Sequence, residues 1–268
     1  MSTIYIAEPG GEQTAYSEER ALKLWSQESI SRKAVYWKEG MPDWRPITDL
    51  YENQVKDASG LTRFLKVMLW LSTVVAAFGV LAQAASLATG NAGKTSSENF
   101  RALGALSGVL TLLAFFATAV PFLMWIHRAN RNARALGAQG MRFTPGWSVG
   151  WFFVPLLSLW KPYQAVKEIW QASHNPYSWD RQDMAPAVGR WWGLWLVSNL
   201  LGQLTIRLSL HAEASSALFS STVLGLLTAA TNVALCLAAV RLVSAIYLKQ
   251  GEWMQKLAAP KAQEFEWA

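Results

Sequence analysis

Four apolar stretches with basic residues at most of their ends leave this 268-residue chain few ways to fold. They are Leu65–Leu87, Ala102–Ile126, Trp191–Leu210 and Ala217–Tyr247. A spanning helix needs about 20 consecutive apolar residues. In hydrocarbon the backbone must satisfy its own hydrogen bonds, so such stretches become helices rather than open strands. Arg63 and Lys66 guard the start of the first, Arg128, Arg131 and Arg134 follow the second, and Lys249 follows the last. Basic ends stay on the cytoplasmic side, so both hairpins are expected to begin and end there. Only 16% of residues are charged, against roughly 25% in ordinary soluble domains. The predicted class is a small α+β cytoplasmic domain followed by an all-α transmembrane helical bundle. The bundle has about four spans plus a re-entrant or interfacial central segment.

That central segment, Trp147 to Trp160, is the hardest to place. As a helix its 14 residues would reach about 21 Å, against a hydrocarbon core of about 30 Å. Pro155 interrupts it and Lys161-Pro162 ends it. It follows the acid-free run Arg128 to Arg142, in which Arg128, Arg131, Arg134 and Arg142 are expected to set topology and meet lipid headgroups. After it, Pro162 can open a helix at its first position. Tyr163, Val166, Ile169 and Trp170 would form its apolar stripe, with Gln164, Lys167, Glu168 and Gln171 opposite, as in a helix lying in the interface. Whether 147–160 crosses the membrane stays open at this level. The positive-inside rule favours that it does not, which puts the C-terminus in the cytoplasm.

Residues 1–50 read differently. Ile4 to Ile6 is a short strand, and Glu8-Pro9-Gly10-Gly11 is turn chemistry. Ser17 is a plausible N-cap, with Glu18 and Glu19 suiting the first turn of a helix that ends near Gln27. Ala34 to Trp37 is a second strand, closed by a turn through Gly40 and Pro42. Residues 51–61 read as a linker, 62–250 as the helical membrane domain and 251–268 as a cytoplasmic tail. The start has neither basic nor apolar signal-peptide character, so no cleaved leader is expected.

Ile30, Val35-Tyr36-Trp37, Gly40-Met41, Trp44 and Pro46 resemble the end of the bacterial GYF-type module. The family's usual early Trp and Gly-Pro are replaced by Tyr5 and Thr14-Ala15-Tyr16. The resemblance implies an aromatic surface for proline-rich peptides, with Tyr5, Tyr16, Trp25, Trp37 and Trp44 as its candidates. A preformed polyproline helix docks between flat rings at low entropic cost, although rings in so small a domain can equally be core. A second resemblance rests on Arg128-Ala129-Asn130, Pro145 to Trp151, Phe153-Val154-Pro155 and Trp160 to Tyr163. These are similar to a bacterial membrane family of the DUF4328 type, over roughly Leu65 to Tyr247. This implies a fold and a membrane location, and no activity.

No catalytic set emerges, and no enzyme or cofactor is expected. His127, His174 and His211 lie far apart, so no shared metal site is expected, and the lone Cys236 forms no disulfide within the chain. The net charge of +6 clusters beside apolar segments rather than in a nucleic-acid-reading motif. Membrane lipids, not nucleic acid, are the expected partners. Polar side chains within the spans are the remaining candidates: Asn199 and Asn232 as bonds between helices, and Arg241 either reaching headgroups or paired with carbonyls near Pro155. With Pro155 and Lys161 these make up the candidates of the membrane domain. Two functions follow. One is an adaptor anchored in the bacterial inner membrane, whose module binds a proline-rich or extended segment of a cytoplasmic protein. The other is a small oligomeric transporter or channel, with self-association as part of that reading.

Overall fold

The structure, a computed structural model, describes residues 3–26, 29–31, 33–52, 55–88, 98–181, 185–210 and 215–258. The predicted polar loop near Asn91 and the region around His211 fall largely or wholly outside them. The N-terminal part is a four-stranded antiparallel sheet, β1 (Thr3–Ala7), β2 (Gln13–Ser17), β3 (Val35–Lys38) and β4 (Arg45–Pro46), in the order β2-β1-β3-β4. Helix α1 (Glu18–Ser26) starts where expected: the Ser17 hydroxyl accepts from the backbone N–H of Arg20 at 3.3 Å. Ile4, Ile6, Ala21, Trp25, Tyr36 and Leu50 are among the buried residues that form the core of this part. Gly10 and Gly40 both have positive φ, which their turns require. The region read as a linker begins in a helix, α2 (Ile47–Glu52), and ends inside the first long one.

Three helices, not four, are long and apolar enough to cross a membrane among the described residues. They lie in α3 (Ser59–Ala88), α4 (Glu98–Ala135) and α8 (Ser215–Ala258). Helix α7 (Pro186–Leu210) has 25 residues, a reach of about 37 Å. Its length is sufficient, and what sets it apart from the three is composition, because Trp191, Trp192, Trp195, Asn199, Gln203 and Arg207 dilute its apolar character. Helix α4 also differs from expectation. It runs through the arginines to Ala135, so the first part of the acid-free run Arg128 to Arg142 is helical. Gly137 ends it at φ +102°, with Ala138 N–H donating to Ala133 O at 3.1 Å and Gly137 N–H to Arg134 O at 3.0 Å, a Schellman closure.

The central segment is no single helix. A short α5 (Pro145–Gly150) leads to two 3-10 turns, Trp151–Phe153 and Leu157–Leu159. Between them Leu156 has φ +63°, the one positive value outside glycine among the described residues. Helix α6 (Lys161–His174) follows, with proline in its first turn.

The chain divides into two compact units. One takes Met1–Ala58, Ile126–Met184 and Ile246–Ala268. The other takes Ser59–Trp125 and Ala185–Ala245. In the second, hydroxyls join helices: Ser72 to Thr118 at 2.9 Å and Thr205 to Thr228 at 3.2 Å. The Trp125 indole donates to Thr62 at 3.1 Å. Its surface leaves Val74, Phe78, Leu81, Phe116 and Leu200 exposed. Apolar side chains in such number, uncovered along helices of spanning length, are what a lipid solvent would take up.

Candidate functional site

The first unit is held together by polar side chains, and these build the site. Asn130, fully buried on α4, donates from Nδ2 to the Phe143 carbonyl at 3.0 Å. Its Oδ1 accepts from Arg134 Nε at 3.1 Å. Arg134 Nη2 donates to the carbonyls of Met141 at 2.8 Å and Phe143 at 2.9 Å. One turn of helix therefore clamps the chain just before the broken segment. From the other side the buried Glu168 of α6 accepts the Phe143 N–H at 3.1 Å.

Burial pushes the Glu168 carboxyl above its usual range, against the opposing pull of the Phe143 and Arg142 N–H groups and the Arg134 and Arg142 charges. A raised folded-state pKa means the fold favours the protonated carboxyl. Its contribution to stability is complete below the unfolded value, about 4.3, and is lost as pH rises through the folded one. Glu168→Gln keeps an acceptor for Phe143 N–H and does not titrate. Its unfolding temperature relative to the parent is therefore expected to rise between pH 4 and 8. Two parallel melting curves across that range would contradict this.

In front of the clamp lies a cavity of about 300 Å³ lined by Arg142, Phe143, Thr144, Trp147, Trp151, Lys161 and Gln164. Thr144 caps α5 by accepting Trp147 N–H at 3.3 Å. Lys161 Nζ sits 5.7 Å from the ring centres of both Phe143 and Trp151. The rings of Trp147 and Trp151 lie 4.8 Å apart. The lining holds two cations, three aromatic rings and no acid.

The family described as Domain of unknown function (DUF4328) matches residues 88–247. The chain belongs to the DUF4328 family. The match begins later than the expected Leu65 and leaves most of α3 outside it. No curated protein and no solved structure matches. The cavity and its clamp both lie within the matched DUF4328 region.

The sequence-selected residues separate by place. Arg134 belongs to the clamp, Arg142 and Lys161 to the cavity, and Arg128 donates to the Asp57 carbonyl at 2.9 Å, while Arg131 is exposed. Pro155 is exposed, and its carbonyl accepts Leu157 N–H at 2.7 Å. Asn232 bonds with Ser198, Asn199 donates to Trp195 O at 2.7 Å, and Arg241 is exposed on α8. In the N-terminal sheet Tyr5 and Trp37 pair across strands, their rings 5.7 Å apart, on the face opposite Ile4, Ile6 and Tyr36. Trp44 is exposed. Trp25 is core, and Tyr16 packs against that core. Of the stripe expected on α6, Val166 and Ile169 are buried and Tyr163 and Trp170 half-buried, but Glu168 and Gln171, expected on the opposite polar face, are buried as well.

Sequence reasoning missed Asn130, Glu168, Gln139 and Gln250 as organising residues. Gln139 Nε2 donates to the Trp25 carbonyl at 2.8 Å. Asn132 and the Lys56 backbone exchange bonds of 3.1 and 2.9 Å. Gln250 Nε2 donates to Ala129 O at 2.9 Å and to Ser173 Oγ at 3.0 Å. For Asn130, Asn132 and Gln139 the available signal was a set of amides within the basic stretch; for Glu168 and Gln250 there was none.

Proposed function

We infer that this DUF4328 protein is a non-catalytic adaptor anchored in the bacterial inner membrane. Its N-terminal module, of GYF type, would present Tyr5, Trp37 and Trp44 to a proline-rich or extended segment of a cytoplasmic protein. The observation that carries the reading is the Tyr5–Trp37 pair, which stands on the sheet face away from the core, in a module that also leaves Trp44 exposed. Rings on a face that the module's own core does not need are available for contact. The bonds from Gln139 to Trp25 and from Asn132 to Lys56 fasten the module to the end of α4 instead of leaving it on a loose tether.

Topology supports the anchoring half. Lys56 before α3, Ala129 and Asn132 near the end of α4, Ser173 before α7 and Gln250 late in α8 belong to one hydrogen-bonded unit. A chain that leaves and regains one place makes an even number of crossings. That favours α7 as a fourth crossing and both termini on the side carrying Arg128, Arg131, Arg142 and Lys249, the cytoplasmic side by the positive-inside rule. The transporter reading is weaker, because Asn199 and Asn232 are both engaged in helix bonds.

The test is fluorescence anisotropy of a labelled proline-rich peptide titrated with the full chain in micelles. Saturable binding that Trp44→Ala weakens about tenfold, in the range for an aromatic anchor, is the expected result. Equal affinity in the intact chain and the variant would remove the aromatic face from the mechanism.

A further inference from the structure

The cavity beside the broken segment has a lining that fits one kind of ligand. Arg142 and Lys161 bring two positive charges to it, and Gln164 adds an exposed amide. Neither cation belongs to the two ion pairs found among the described residues, Lys38–Glu18 and Lys249–Glu252. The nearby carboxylate, Glu168, is buried and turned to the Phe143 N–H. Lys161 is steadied over the Phe143 and Trp151 rings, a cation–π arrangement that leaves its N–H groups free to donate.

The same segment supplies the surroundings. Trp147, Phe153, Leu156, Leu159 and Trp160 are all exposed, Leu156 most of all at 74%. Leu156 takes a left-handed backbone conformation that an L-residue rarely adopts, and it sits at the start of the second 3-10 turn. Exposed indoles beside exposed leucines and cations make the side-chain profile of a headgroup boundary.

We propose that the pocket between Arg142 and Lys161 binds a phosphate group, carried by an anionic lipid headgroup or free. Arg142 supplies a planar set of donors and Lys161 a compact charge, the two modes by which side chains hold phosphate oxygens. A cavity of about 300 Å³ suits a headgroup phosphodiester whose acyl chains lie along the exposed apolar rim. A choline headgroup fits less well, since its own cation meets two more. This proposal does not depend on the peptide-binding reading of the N-terminal module.

The experiment uses the full chain, stripped of lipid in maltoside micelles and examined by native mass spectrometry with dioleoylphosphatidylglycerol, dioleoylphosphatidylcholine and inorganic phosphate as separate probes. Phosphatidylglycerol is expected to form a saturable one-to-one adduct. Arg142→Gln or Lys161→Gln should each weaken it about fivefold to tenfold, Lys161→Arg should restore it, and Lys249→Gln should leave it unchanged. Saturable phosphate binding with the same dependence, without a lipid adduct, would assign the pocket to free phosphate. Equal retention of both lipids by parent and variants, with no phosphate adduct, would overturn the proposal. If Lys161→Gln loses helical signal, Arg142→Gln carries the test, since Arg142 is exposed and, among the described residues, its side chain donates no hydrogen bond to a neighbouring backbone group.

Discussion

Asn130→Ala is expected to cost the protein about 2–4 kcal/mol and to lower its unfolding temperature in micelles by roughly 5–12 °C. The side chain is fully buried and works in both directions, as a donor to Phe143 O and an acceptor from Arg134 Nε. Alanine removes the donor and leaves the Nε of the half-buried Arg134 without its acceptor. A half-buried charge that loses part of its bonding still costs more than a neutral group of the same exposure. Asn130→Asp restores the acceptor to Arg134 but not the donor to Phe143, so it should fall between the two. The decisive readout is the melting midpoint together with trypsin cleavage after Arg142. A midpoint within about 2 °C of the parent would mean that Arg134 alone holds the turn through its bonds to Met141 and Phe143.

The second large effect is at Trp25. It is 4% exposed in a core built from Ile4, Ile6, Ala21, Ile30, Ala34, Tyr36, Ile47 and Leu50. Trp25→Ala should cost about 3–5 kcal/mol, a large part of what so small a core can supply. Its backbone carbonyl still meets Gln139, so the loss comes from the side chain. Tryptic cleavage of the full chain at Arg20 and Lys38 should speed up by about 10²-fold or more, since cleavage follows the population of the open form. Trp44, at 37% exposed, should show little change in the same assay. If the two variants are cut alike, the division of these rings into core and surface is wrong.

Much of the architecture was legible because apolar length and basic ends act locally. So do the Ser17 cap and the Gly10 and Gly40 turns. Strand β2 was not legible: of Gln13 to Ser17 only Tyr16 is half-buried and the rest are exposed, so no alternation marks it. Helix α4 was ended too early because arginines after an apolar run read as a loop. Arginine is a good helix former, and the stop signal was Gly137. Helix α6 misled for another reason. Its wheel has an apolar stripe, but within the unit the Phe143 N–H meets Glu168 and Gln250 meets Ser173, so polar positions of the helix are buried as well. Such burial depends on what residues distant in sequence present, and no periodicity encodes that. Of the cavity, Arg142 and Lys161 were selected from the sequence, but not their meeting.

The paired bonds between Asn132 and Lys56 have a consequence for biosynthesis. Lys56 leaves the ribosome 76 residues before its partner exists, an interval of roughly 4–15 s at ordinary rates of synthesis. Trp25 waits 114 residues for Gln139, and Ala129 waits 121 for Gln250. The sheet can form early, but its fastening comes only after α3 and the apolar part of α4 have been made. The last latch closes when α8 is nearly complete. Docking of the module thus reports that α3 and the apolar part of α4 have been synthesised, and Gln250 seals the unit only when α7 and most of α8 have followed.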